Sequence, residues 1–312
     1  MAGRNQTMVT EFVLLGFTDQ LDLQILLFGI FLVIYLITLI GNLGMMGLIR
    51  VSSRLHTPMY FFLSHLSFVD ICYASSITPK ILANIFVKEK NISFTGCFTQ
   101  LYFSSALATT ECFLLAAMAF DRFVAICNPL LYAVIMSNRV CSELAIAVYI
   151  YGFLNSLIQT TMTLQASFCD SNVINHFYCA DPPLLSLSCS DIHVKEKQIF
   201  IISTLNLVSS LLVVFLSYCC IFVVVLKFPS GEDRCKAFST CVTHLTVIAL
   251  FYGTLFSMYF QQPYTNQALP FDKAASVFYS LIIPMLNPLI YSLRNRDVKE
   301  ALRKVIERKV LR

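Results

Sequence analysis

The sequence predicts an all-α membrane protein: a seven-helix transmembrane bundle followed by a short amphipathic C-terminal helix. Three observations predict it. Of the 312 residues, 57% are hydrophobic and only 13% charged, a balance that fits membrane spans better than soluble domains. Seven runs are nearly free of charge, and each can supply the roughly 20 apolar residues a spanning helix needs. Lys and Arg are also uneven: fifteen of the 22 fall in one set of loops and seven in the other. By the positive-inside rule, the C-terminus lies in the cytoplasm and the N-terminus outside. The net charge of +4 follows from that placement and marks no nucleic-acid patch.

The chain reads as one domain over 1–312, with an extracellular tail at 1–23, the bundle at 24–293 and a cytoplasmic tail helix at 294–312. The first 22 residues are polar or mixed, so the run at 24–49 is expected to act as an uncleaved signal anchor. The second span, 58–82, starts on Pro58, where the missing N–H costs least. The third covers 97–131 and the fourth 140–164; the fifth, sixth and seventh cover 198–226, 236–260 and 270–293. Pro284 and the run Asn287-Pro288 interrupt the seventh, which suits a helix that kinks or moves. Beyond it, Val298, Leu302, Val305 and Ile306 share one helical face with bases opposite, the pattern of a helix lying on membrane lipid.

The sequons at Asn5 and Asn91 both fall on the predicted outer side. So do Cys97, Cys169, Cys179 and Cys189, an even number on an oxidising side that allows two disulfides in three pairings. His176-Phe-Tyr-Cys179 could be read as part of a metal site, but a disulfide at Cys179 leaves no thiolate to offer. Inside the membrane, Asp70 and Glu111 fall at similar depth, where two unpaired carboxylates are costly. They can share a proton, or share a cation with hard oxygen ligands. Ser104, Ala108, Glu111, Leu115, Met118 and Arg122 form one stripe down the third helix. Arg122 lies roughly 37 Å along that helix from Cys97, which brings Asp121-Arg122 to the inner boundary.

At MAFDRFVAICNPLLY (118–132) the chain resembles the olfactory receptors, a branch of the rhodopsin-like G-protein-coupled receptors. The runs LHTPMYFFLSHLSFVD, Ser217-Tyr218, KAFSTCVTHLTVIALFYGT and PMLNPLIYSLRN extend the resemblance over nearly the whole chain. Phe120 and Phe123 stand where the family usually has tyrosine, and His65 where it usually has asparagine; the last reads as a tolerated substitution. The resemblance implies disulfides Cys97–Cys179 and Cys169–Cys189, and a possible structural sodium ion at Asp70 and Glu111 with no other cofactor. It implies a switch in which Tyr218 and Tyr291 swing toward Arg122 once Asp121 lets go. It places ligand contacts at Ser104, Ser105, Ala108, Thr109 and Cys112, at Ile202, Ser203 and Asn206, at Tyr252, Leu255, Phe256 and Tyr259, and at Val277. That set carries no charge, so the expected ligand is a small, neutral volatile odorant. The implied partner is a stimulatory, olfactory-type heterotrimeric G protein that raises cAMP at the plasma membrane.

A secondary transporter would need two related halves, and no internal repeat is present. Another rhodopsin-like receptor, for peptide or lipid, is disfavoured by the three-cysteine loop and the five runs. No enzyme motif occurs: no HExxH, no phosphate-binding Gly-rich loop, no GxSxG.

Overall fold

The computed structural model describes residues 9–168, 171–189, 193–260 and 270–310. Its helices are α1 (Leu21–Val51), α2 (Pro58–Ile85), α3 (Phe94–Cys127), α4 (Tyr132–Ile135), α5 (Asn138–Leu164), α6 (Asp181–Leu185), α7 (His193–Leu226), α8 (Gly231–Phe260), α9 (Pro270–Val277), α10 (Ile283–Arg294) and α11 (Arg296–Val310). Three short strands, β1 (Glu11–Leu14), β2 (Asn91–Ser93) and β3 (Val173–Ile174), gather at one end of the bundle, called here the sheet end.

Burial sorts the rods. In α3 61% of the most apolar window is buried, against 17% in α1. So α3 is the central post, packed on α2, α5, α7 and α8, and α1 turns most of its apolar surface outward. Ser93 caps α3 by accepting the Gly96 N–H at 3.1 Å, which starts the helix ahead of the expected residue 97. Pro129 drives Asn128 out of helical geometry (φ −132°, ψ 55°), so α3 stops at Cys127 and not near 131. Among the described residues six helices are long and apolar enough to cross a membrane. In the expected sixth span, α8, the described side chains of Cys241–Ser257 form an apolar helix of about 25 Å.

The last rod is broken where its proline predicts. Pro284 has no N–H to offer the carbonyl of Ser280, and the turn before it opens into a π-helix over Phe278–Ile282, where the Ile283 N–H reaches back to Phe278. Asn42 of α1 steadies the break by donating to the Pro284 carbonyl at 3.0 Å.

The N-terminal tail holds more structure than its composition suggested. β1 lies between β2 (antiparallel) and β3 (parallel). Its alternating side chains bury Phe12 and Leu14 in a small second core with Ile92, Cys97, Phe98, Ile174 and Leu184. Gly16, at φ 71°, turns the chain out of the strand, a conformation open to glycine. Its N–H donates to the His176 carbonyl at 3.2 Å, and its own carbonyl accepts from Lys273 Nζ at 2.9 Å. At the opposite end, α11 buries Val298 and Ala301 and leaves Leu302 and Ile306 exposed. Tyr60 holds α11 in place by donating to Asn295 Oδ1 and Asp297 Oδ2, each at 3.0 Å. His65 does more than fill space: its Nδ1 shares a 3.3 Å hydrogen bond with Tyr149 Oη, tying α2 to α5.

Candidate functional site

A disulfide between Cys97 and Cys179 fastens the loop after α5 to the start of α3. The Cys179 N–H donates to Gln100 Oε1 at 3.0 Å, so the loop is pinned by backbone as well as sulfur. Cys189 is disulfide-bonded, and its N–H donates to the Ser167 carbonyl at 2.9 Å; Cys169, its expected partner, lies outside the described residues. So does Asn5. Asn91 is half-buried in β2 and donates to Glu11 Oε2 at 3.2 Å.

Beneath the pinned loop lies a cavity of about 220 Å³, walled by α3, α5, α7, α8 and Tyr279 of the π-turn. Ser104, Ser105, Ala108, Ser203 and Leu255 line it, as expected. A second chamber of about 120 Å³ shares several of these residues and adds Thr109, Cys112 and Asn206. Ile202, Tyr252, Phe256 and Val277 line neither chamber. Tyr252 is buried and donates to the Cys112 carbonyl at 3.5 Å, while Phe256 and Val277 pack against the main core. The side chain of Tyr259 lies outside the described residues. Asn206 is not a free anchor, because its Oδ1 accepts from Tyr151 of α5.

The expectation of an uncharged wall fails at the roof. Asp181 and Glu196 line the larger chamber, together with Tyr178, Gln159 and Tyr73. Asp181 Oδ1 accepts from Thr163 Oγ1 at 2.6 Å, and burial pushes its carboxyl above the usual range. Helical periodicity locates wall residues on α3 and α7 but says nothing about which loop residues turn inward. The usable signal was the disulfide: two residues past Cys179, the chain has to sit over the bundle.

Deeper in the bundle, Asp70 accepts two hydrogen bonds from Asn287 Nδ2, at 3.0 and 3.2 Å. Glu111 is 1% exposed, and its Oε1 has no hydrogen-bond partner. Among the described residues no cluster of three or more His, Cys, Asp or Glu forms a metal site. At the far end of α3, buried Asp121 accepts from Tyr132 of α4 at 2.8 Å. Among the described residues no ion pair joins Asp121 to Arg122, whose Nε is unbonded. The sequence could show that the two charges adjoin, but not that α4 would bring a phenol to the acid. Tyr218 shares a 2.8 Å hydrogen bond with His244, and Tyr291 is fully buried with its hydroxyl unpartnered. Arg122 lies within electrostatic reach of both tyrosines.

Residues 31–309 match the family described as olfactory receptor. The chain is 54% identical to mouse olfactory receptor 5AP2 over 308 residues, 99% of this chain and 97% of that one. It is 56% identical to human olfactory receptor 5M11 over 306 residues, 98% of this chain and 100% of that one. In fold it is similar to squid rhodopsin, with a TM-score of 0.74 at 18% identity, covering 93% of this chain and 87% of that one.

Proposed function

The chain belongs to the olfactory receptor family and has the rhodopsin fold, and from that premise we propose that it binds small volatile odorants in the two-chambered cavity and activates a stimulatory, olfactory-type heterotrimeric G protein, raising cAMP. It is a multi-pass membrane receptor and not an enzyme. The observation that carries the reading is the full-length identity above one half with olfactory receptors.

The geometry supports it. The sheet end faces outside the plasma membrane, where Asn5 and Asn91 can carry glycans and Cys97–Cys179 is stable. The cavity opens under that end, and α3 runs from its wall to Arg122. An odorant that shifts α3, α7 or α8 alters the neighbourhood of Arg122. There the guanidinium has an unbonded nitrogen and Tyr291, within its electrostatic reach, an unpartnered hydroxyl, two groups that gain by meeting. Asp121 is held by Tyr132 and, among the described residues, makes no ion pair with Arg122. A sodium ion would be held by Asp70 and Glu111, and the orphaned Glu111 Oε1 is the atom that fits it, since a buried carboxylate oxygen without a partner calls for an ion or water.

The test is expression with an olfactory-type G protein and a cAMP readout against a diverse odorant panel. Arg122→Ala is expected to abolish agonist-driven cAMP at unchanged surface display. A surface-displayed variant that signals normally sinks the role given to Arg122, and a wild-type receptor silent to every odorant sinks the reading as a whole.

A further inference from the structure

The roof of the larger chamber contains fixed hydrogen-bond acceptors. Asp181 is set there firmly: the Cys97–Cys179 bond lies two residues before it, Pro182-Pro183 follow, and α6 begins on it. Thr163 takes a site on Oδ1. A carboxylate offers about four acceptor sites, so most of its capacity is left over. Gln159 of α5 lines both chambers at 4% exposure. Its Nε2 donates to Asn155 Oδ1 at 2.7 Å, and its Oε1 has no hydrogen bond among the described residues.

Among the described residues no other side chain in the roof is a fixed donor for these acceptors. No Lys, Arg or His among the described residues lines either chamber. The serine, threonine and tyrosine hydroxyls can turn either way. The fixed side-chain donors are amides: the second N–H of Gln159, beside its own acceptor oxygen, and the Asn206 amide in the lower chamber, whose oxygen is already held by Tyr151. A ligand that fills the larger chamber without an N–H or O–H therefore strips water from the Asp181 carboxyl and the Gln159 Oε1 and returns nothing to either oxygen. An unmade buried hydrogen bond is the costly outcome, and sites built around a polar group reject analogues lacking it far more strongly than they reject a missing methylene.

We infer that this receptor selects odorants carrying a hydrogen-bond donor, an O–H or N–H, which binds at the roof between Asp181 and Gln159 with the apolar body directed toward α3 and α7. The inference rests on the proposed use of the cavity and names the ligand class within it.

The experiment uses matched pairs on several skeletons: the primary alcohol, the methyl ether of equal size and the primary amine, on linear chains, cyclohexyl and phenyl rings, with ketones and esters alongside. Potency is read as cAMP in cells expressing the full chain. The alcohols or amines are expected to be at least tenfold more potent than their ethers. An amine that outdoes its alcohol marks an ionised Asp181, and the reverse marks a neutral acceptor; either supports the inference. Asp181→Asn keeps an oxygen for Thr163 but turns an amide donor toward the cavity, so the alcohol loses potency and the ether gains. Should that variant fail to reach the surface, Gln159→Leu tests the same roof, and a severalfold fall in the alcohol preference is expected. Ethers equal to alcohols in the wild type, ketones or esters active where every donor is silent, or a donor preference unchanged in a surface-displayed variant would each overturn the inference. All three leave the odorant-receptor reading standing; only silence toward every odorant removes that.

Discussion

Replacing His176 with glutamine removes a titratable group from beneath the sheet. His176 is 4% exposed, its Nδ1 has no hydrogen-bond partner, and burial together with nearby Lys273 pushes its pKa down to about 3. An unfolded histidine titrates near 6.5. Between those values the unfolded chain binds a proton that the folded chain refuses, so stability is present above about 6.5 and drains away as pH falls, by up to about 1.4 kcal/mol per unit. Asp181 acts with the opposite sign: its raised carboxyl holds a proton longer when folded, and its contribution weakens as pH rises past the ordinary carboxylate range. Thermal unfolding of purified receptor at pH 7 and pH 5 should show a marked loss at pH 5, and His176→Gln should flatten it. At this scale the sequence is legible where a residue's meaning is its type. Cys97 and Asp70 are examples: a cysteine at the oxidising end of a helix, an acid within an apolar one. It is not legible where meaning is a partner. Nothing in the order of residues ties Asn206 to Tyr151, or Asp121 to Tyr132.

Two helices that touch closely need a residue that permits it, and Gly152 permits α3 and α5 to meet. A Cβ at that position would stand 2.9 Å from the Ala106 carbonyl and collide with the Thr110 hydroxyl, which is itself fixed on that carbonyl at 2.8 Å. Gly152→Leu should therefore destabilise the bundle by about 1–3 kcal/mol through overpacking. Gly44→Ala, with nothing within 4 Å of the added carbon, should be neutral or slightly stabilising, by up to about 1 kcal/mol of helix propensity. Thermal stability of the two variants against wild type separates the cases. Helix existence was readable from apolar length, and α2 even begins on the proline that marks its first turn. Helix ends were less so, because they depend on caps and on Pro129. The short strand β1 escaped notice because four residues that alternate in burial give little periodicity until β2 and β3 are there to bury them.

Across the molecule, the sheet, the small core around Phe12 and the Cys97–Cys179 bond make one cap over the cavity. Phe12 is fully buried in it, and Phe12→Ala should cost about 3–5 kcal/mol of local packing and sharply reduce surface display; Leu15→Ala, at 45% exposure, should not. Surface labelling of both variants checks this, and equal display would show that β1 does not hold the cap. The cap also imposes an order in time. β1 is made first, yet its parallel partner β3 follows it by some 160 residues, about 10–30 s of synthesis. Cys97 is made just over half-way through that interval and from then on waits for its partner. The next cysteine to emerge beyond α5 is Cys169, ten residues ahead of the sulfur that Cys97 must finally hold. The earliest bond open to this chain is therefore a wrong one, and its yield depends on how readily thiol–disulfide exchange undoes that bond before the first strand closes over it.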